Sequence, residues 1–262
     1  MADPHDRRFR ARSLEHDAGF VLPLLRPGLR VLEVGCGPGP ITLGPAQRVA
    51  PGRVLGLDLD PERLAAAREA AGRAGLGNAG FEAGDATSLP LEAGTADLVF
   101  ANGLIEHLVD PAAALREFRR ILRPGGALAL RSPDWGAAIV QPPLPALLDL
   151  IALRDRWQRS LGGDPEAGRK LKGLMLAAGF TWVTAAAEVD PDSAPERAAT
   201  YMASLLEDPE LTALAGSEGW AGAEEIAALA RAWRDWSARP EAFAAFFWCS
   251  AVGWKGDLER DG

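Results

Sequence analysis

The stretch Val31-Leu-Glu-Val-Gly-Cys-Gly-Pro-Gly39 constrains this chain most. An apolar run that carries one acid and breaks into alternate glycines reads as a buried strand entering a tight, ligand-binding turn. Further on, Val54-Leu-Gly-Leu-Asp58 ends a second apolar run on an acid. A strand, a glycine loop, a helix and an acid closing the next strand is how doubly wound folds hold an adenosine-bearing ligand. The glycine spacing narrows the ligand. Gly35, Gly37 and Gly39 form G-x-G-x-G, whereas the nicotinamide fingerprint G-x-G-x-x-G would need its last glycine where Pro40 stands.

That fingerprint serves a pyrophosphate docked on a helix N-terminus. An adenosyl sulfonium has no phosphate and needs polar partners for an amino acid end and a ribose, which Glu33 and Asp58 are placed to provide. A carboxylate inside an apolar strand is costly unless paired, so Glu33 asks for a cationic partner such as an ammonium.

Four segments in order, VLEVGCGPG at 31–39, VLGLDLDPERL at 54–64, GDATSLPLEAGTADLVFANGLIEHL at 84–108 and ILRPGGALAL at 121–130, resemble the S-adenosylmethionine-dependent methyltransferases of Rossmann-like fold, particularly the small-molecule group related to the quinone-biosynthesis methyltransferases. The resemblance covers roughly residues 10–190 and the final strand. It implies an α/β fold, a doubly wound, mainly parallel seven-stranded sheet in the order 3-2-1-4-5-7-6 with the last strand antiparallel and with helical lid insertions.

Apolar or β-branched runs bounded by turn residues predict strands at 30–35, 54–58, 79–84, 97–102, 126–132, 180–189 and 244–254. Asp60-Pro61 and Asp110-Pro111 each put an N-cap acid before a proline at the first helical position. The organisation expected is an N-terminal arm at 1–18, a core at 19–190 and 242–256, and helical, substrate-facing insertions at 134–165 and 191–241. Within the latter, Ile226, Leu229, Trp233 and Trp236 share one helix face, and helical spacing assigns the two tryptophans to core packing.

Composition excludes several classes. A net charge of −8 and a pI near 5.0 disfavour a protein that tracks a phosphate backbone, so no nucleic acid partner is expected. No apolar run is long enough to span a membrane and the first residues carry arginines and acids rather than a hydrophobic signal, which points to the cytoplasm. Cys36 and Cys249 are the only cysteines and fit no metal spacing. Oligomeric state is left open by the sequence.

By resemblance, Gly35, Gly37 and Gly39 let the loop pass beneath the cofactor, with Cys36 a required small residue between them and Glu33 near the amino acid end. Asp58 resembles the acid that accepts from both ribose hydroxyls, and Leu59 would pack on adenine. Asp85, after Gly84, resembles the acid that accepts from the adenine amine, with the Ala86 amide nearby. Asn102 ends the fourth strand near the ligand's ammonium. His107 is the candidate general base on the acceptor side, and Asp134 a second candidate. His16, His107 and Trp135 are expected against the acceptor, because ligands of open α/β sheets bind beyond the carboxyl ends of the strands. The activity implied is in-line transfer of a methyl group from S-adenosylmethionine to a small, mainly apolar metabolite, at oxygen or carbon more than nitrogen. Cofactor motifs alone leave a second activity open, a non-methylating cyclisation or isomerisation. A nicotinamide oxidoreductase is disfavoured by Pro40 and by the lack of a Tyr-x-x-x-Lys pair, since position 205, four after Tyr201, is leucine.

Overall fold

The computed structural model describes residues 12–190, 193–205 and 208–256. After α1 (Leu14–Asp17) and a 3-10 turn (Gly19–Leu24), strand and helix alternate: β1 (Arg30–Val34), α2 (Pro40–Val49), β2 (Arg53–Asp58), α3 (Pro61–Arg73), β3 (Ala79–Ala83), β4 (Ala96–Asn102), α4 (Pro111–Ile121) and β5 (Leu122–Gln141). Then come α5 (Pro145–Ser160), α6 (Ala167–Ala177), β6 (Thr181–Val189), α7 (Pro195–Ser204), α8 (Pro209–Ser217), α9 (Ala223–Ser237) and β7 (Phe243–Trp254). The strands form one sheet ordered β3-β2-β1-β4-β5-β7-β6, the order that the resemblance implied. Strands β1 to β5 pair in parallel, and β7 runs antiparallel to both β5 and β6.

Local chemistry explains the elements that carry the site. Asp60 caps α3 by accepting from the amides of Glu62 and Arg63, and Asp110 caps α4 by accepting from Ala113. On α4, Ala114, Leu115, Phe118 and Ile121 are buried while the arginines lie on the other face, so one stripe packs on the sheet. Both faces of the sheet are covered. One core joins Leu32, Val34, Val99 and Leu130 to α4 and α6, and another joins Val31, Leu98, Phe100 and Ala129 to α1 and α2.

Strand β5 departs from expectation. It continues past residue 132 to Gln141, so Asp134–Gln141 belongs to the sheet and the insertion begins only after it. The partner explains why: β7 is twelve residues long and pairs along Phe243–Phe247 with this extension, a register shift between Asp134 and Ile139 absorbing the irregularity around Gly136. Beyond it, Trp135, Val140, Leu147, Leu150, Met202, Leu229, Trp233, Trp236 and Phe246 build a separate hydrophobic core among α5, α7, α8, α9 and the β5–β7 ends. Trp233 and Trp236 are both fully buried and meet edge to face at 5.3 Å. No helix among the described residues is long and apolar enough to cross a membrane.

Candidate active site

The carboxyl ends of β1, β2, β3 and β4 open onto a cavity of about 420 Å³. Its floor is the glycine loop. The amides of Gly35 and Cys36 both donate to the Leu57 carbonyl, at 2.8 and 3.0 Å, tying the loop to the end of β2. All three glycines have positive φ, +78° at Gly35, +53° at Gly37 and +80° at Gly39. Their surroundings differ. A Cβ on Gly37 would meet nothing within 4 Å, whereas one on Gly39 would fall 2.8 Å from Ala67 and 2.9 Å from Phe81. Gly37 therefore keeps open space for a ligand, while Gly39 lets α2 close on α3 and β3. Gly39 does not line the cavity; Glu33, Gly35, Cys36, Gly37, Asp58, Leu59, Gly84, Asp85, Ala86 and Asn102 all do.

The acids around this cavity are held in different ways. Glu33 is 2% exposed and its Oε2 accepts from the Thr42 hydroxyl at 2.6 Å. Burial pushes its carboxyl up to about 8, against the pull of Thr42 and the Arg12 charge, with Asp58 adding to the rise. Such a group in a closed site calls for a cation. Asp58 accepts from the Gly37 amide at 2.7 Å through Oδ2 and from the Asp60 amide at 3.0 Å through Oδ1, which fixes the carboxylate and leaves each oxygen a second lone pair. Asp85 is exposed, and the amide and hydroxyl of Thr87 hold its carboxyl below the usual range. Beside Asp58, Leu59 is 72% exposed, an apolar surface with room for a flat partner. Asn102 is buried and its Nδ2 has no hydrogen-bond partner. Burial pushes the Cys36 thiol far up, as do Glu33 and Asp58, so it stays protonated and serves as a small filler.

A second cavity, of about 630 Å³, lies beyond β5 and β7 and shares Arg12, Gly103 and His107 with the first. His107 ends the 3-10 turn Ile105–His107, and its Nε2 lies 3.8 Å from Glu106 Oε1. Glu106 is 2% exposed, accepts from the Ser132 hydroxyl at 2.8 Å, and has its backbone carbonyl held by Gln158 Nε2 and the Asp164 amide. The imidazole at the junction thus has a fixed, buried carboxylate behind it. The far wall is aromatic: Trp135 stacks on Tyr201 at 5.6 Å, meets Phe246 at 5.1 Å, and carries the Arg154 guanidinium 3.9 Å from its ring centroid.

Two expected residues sit differently. Asp134 lines the second cavity, but both its oxygens bond Arg169, each at 2.6 Å, and it is 3% exposed. Engaged at both oxygens by a guanidinium, it anchors α6 to β5 rather than standing as a free proton acceptor. His16 lines neither cavity; its ring is half exposed beside Asp17, and Arg12 is the residue of that segment that reaches both cavities. Sequence reasoning missed Glu106, Arg154, Gln158 and the site role of Tyr201. A usable signal existed: Arg154, Trp157, Gln158 and Leu161 recur at i, i+3, i+4 and i+7, one face of α5 and its end. Among the described residues, no group of three or more His, Cys, Asp or Glu is placed to hold a metal ion.

A family profile described as a methyltransferase domain matches residues 32–130. A probable methyltransferase of Aspergillus luteorubrus is 30% identical over 93% of this chain and 92% of its own length. The nocamycin O-methyltransferase of Saccharothrix syringae is 39% identical over 60% of this chain and 61% of its own. Among solved structures, phosphoethanolamine N-methyltransferase 2 of Haemonchus contortus, in complex with S-adenosyl-L-methionine, superposes with a TM-score of 0.59 at 18% identity, covering 91% of this chain and 52% of that one. Several relatives are matched only in part, the chain spanning 44 to 63% of their length.

Proposed function

The chain belongs to the S-adenosylmethionine-dependent methyltransferases, and from that premise we propose that it methylates an oxygen of a small, mainly apolar metabolite held in the aromatic cavity. The observation that carries this reading is the meeting of the two cavities at Arg12, Gly103 and His107. An acceptor in the second cavity thereby faces a ligand in the first across a histidine.

The first cavity fits S-adenosylmethionine. Asp58 would accept from the ribose hydroxyls through its remaining lone pairs, and exposed Leu59 would be covered by adenine, with Asp85 and the Ala86 amide at its polar edge. Buried Glu33 would gain the cation that its burial calls for, and the open face of Gly37 admits the ligand's close approach. When bound, the cofactor supplies an electrophilic methyl on a positive sulfur, so that the acceptor oxygen forms the new C–O bond and the sulfur keeps the electrons of the bond that breaks.

The remaining steps belong to the chain. The aromatic wall orients the acceptor and excludes water, which lowers the entropic part of the barrier. His107 takes the acceptor's hydroxyl proton, and the buried Glu106 carboxylate stabilises the imidazolium that forms. The net charge of −8 keeps nucleic acid outside this reading. Oxygen is favoured over carbon by the histidine at the junction, and the nocamycin relative's O-methylation supports it. The test is incubation with methyl-labelled cofactor and a panel of phenols, enols, carbon acids and amines. Label in an O-methyl product, matched by S-adenosylhomocysteine, is expected. Conversion of an acceptor without S-adenosylhomocysteine, or label on carbon or nitrogen alone, overturns it.

A further inference from the structure

Arg154 is a buried cation of the second cavity for which the chemistry above has no use. It stands on the buried face of α5 between Leu150 and Gln158, lines the cavity and is 6% exposed. A guanidinium so far from water is costly unless its charge is balanced and its donors are matched. Among the described residues it has two polar partners: Nη1 donates to Asp155 Oδ1 at 2.9 Å, and the guanidinium carbon lies 3.9 Å from the Trp135 ring centroid.

Neither contact occupies the Nε and Nη2 donors. They are not closed off inside the protein either, since the buried side-chain polar atoms sealed without a partner are Asn102 Nδ2, Trp135 Nε1, Gln158 Oε1 and Trp233 Nε1. Unbonded and unsealed donors on a side chain this buried open onto the space that the residue lines, which is the second cavity.

That edge has a particular complement. Nε–H and the neighbouring Nη2–H are parallel donors on one side of a planar guanidinium, the fork that takes both oxygens of a carboxylate, whereas a carbonyl or hydroxyl supplies one oxygen and leaves a donor unmatched. Asp155 does not fill this role. It holds the other side of the guanidinium, and its side chain is 23% exposed against 7% for Arg154, so water screens its charge while the arginine stays in an aromatic wall.

We propose that the methyl acceptor is an otherwise apolar hydroxy acid, and that Arg154 sets specificity by binding its carboxylate through Nε and Nη2. Gln158, one turn further along α5, bonds the Glu106 carbonyl beside His107, so the anchor and the base stand at separate places along the cavity wall. The hydroxyl gives its proton to His107 and receives the methyl group; the carboxylate stays charged and unreacted. This inference rests on the transferase reading for the reacting hydroxyl, and on Arg154 alone for the anchor.

The test is calorimetric binding to the full chain saturated with S-adenosylhomocysteine, using hydroxynaphthoate with its hydroxyl and carboxylate on opposite rings, the methyl ester of that acid, and naphthol. Hydroxynaphthoate should bind at least about tenfold more tightly than either neutral probe, a comparison that needs no variant. Arg154→Met, which keeps an unbranched apolar stem, should abolish the preference while leaving naphthol and S-adenosylhomocysteine affinity unchanged. Arg154→Lys, which keeps a charge and removes the fork, should lose most of it. The ester or naphthol binding as tightly as the acid overturns the proposal, as do equal weakening of all three probes by Arg154→Met and methyl transfer to the carboxylate itself. A preference for the acid that depends on Arg154, with no methyl transferred to any hydroxyl, would sink the transferase reading alone; transfer to the hydroxyl of naphthol and of the acid with equal affinity would sink the anchor alone.

Discussion

Around the first cavity, the proposed cofactor site, the walls come from strand ends and main chain within residues 33–108 together with Arg12, whereas around the second, the proposed acceptor site, they come mainly from α5, α7 and the β5–β7 ends, joined by Arg12 and the Gly103–His107 turn. The first relies on backbone geometry. Positive φ at Gly35, Gly37 and Gly39, amides tied to Leu57 and Asp58, and acids at strand ends leave little for lateral packing to decide. The second relies on side chains. Its shape depends on Trp135 between Arg154 and Tyr201, supported by a core of its own around Trp233 and Trp236. On the proposed reading, a common cofactor and a particular acceptor would be met by parts of the molecule that can change separately.

That separation can be broken or sharpened by substitution. The largest effect is expected from Trp233→Ala, which removes a fully buried aromatic from the acceptor-side core and should cost about 3–5 kcal/mol of stability by denaturant titration. If the halves are separable, the affinity of the still-folded protein for S-adenosylhomocysteine stays within twofold of wild type.

Glu33→Gln acts on the other half, with a pH signature. The folded-state value, about 8, lies above the unfolded one, so the ligand-free fold holds a proton that the unfolded chain has released. Stability is therefore full below the unfolded value and is lost as pH rises through about 8. Glu33→Gln should flatten that decline and leave the ligand-free protein more stable at alkaline pH by a few kcal/mol, since each tenfold difference in proton affinity between the folded and unfolded chain is worth about 1.4 kcal/mol. It should also weaken S-adenosylmethionine binding. A wild-type melting profile flat across this range would contradict the assignment.

Asp58→Ala should reduce cofactor affinity by roughly 1.5–3 kcal/mol, the range for charge-assisted hydrogen bonds, measured by calorimetry. Leu59→Ala should reduce it by about 1 kcal/mol from lost apolar contact, with no change in melting temperature because the side chain is exposed without ligand.

The same contrast explains what could be read from the residues alone. Most strand spans and the Asp60 and Asp110 caps were legible because each depends on local rules, a buried strand or an acid before a proline, whereas the strand order and the roles given to residues from Glu33 to Asn102 came from the family resemblance. The extension of β5 to Gln141 was not legible, because Pro133 and Gly136 read locally as breakers and only the partner strand β7 overrides them. The pairing of Asp134, a candidate base in the sequence, could not be read there because Arg169, thirty-five residues away, is brought to it by α6. Glu106 was passed over beside His107, since its burial comes from Ser132, Gln158 and Asp164, contacts that no local pattern announces.

The central claim is that the two halves meet at a histidine that handles the acceptor's proton, and His107→Ala tests it most directly. Single-turnover methyl transfer, measured with both ligands saturating and with their affinities determined separately, should fall by roughly a hundredfold or more while both affinities stay within about twofold of wild type. Transfer at the wild-type rate, or a loss accounted for by weakened binding of either ligand, would contradict it.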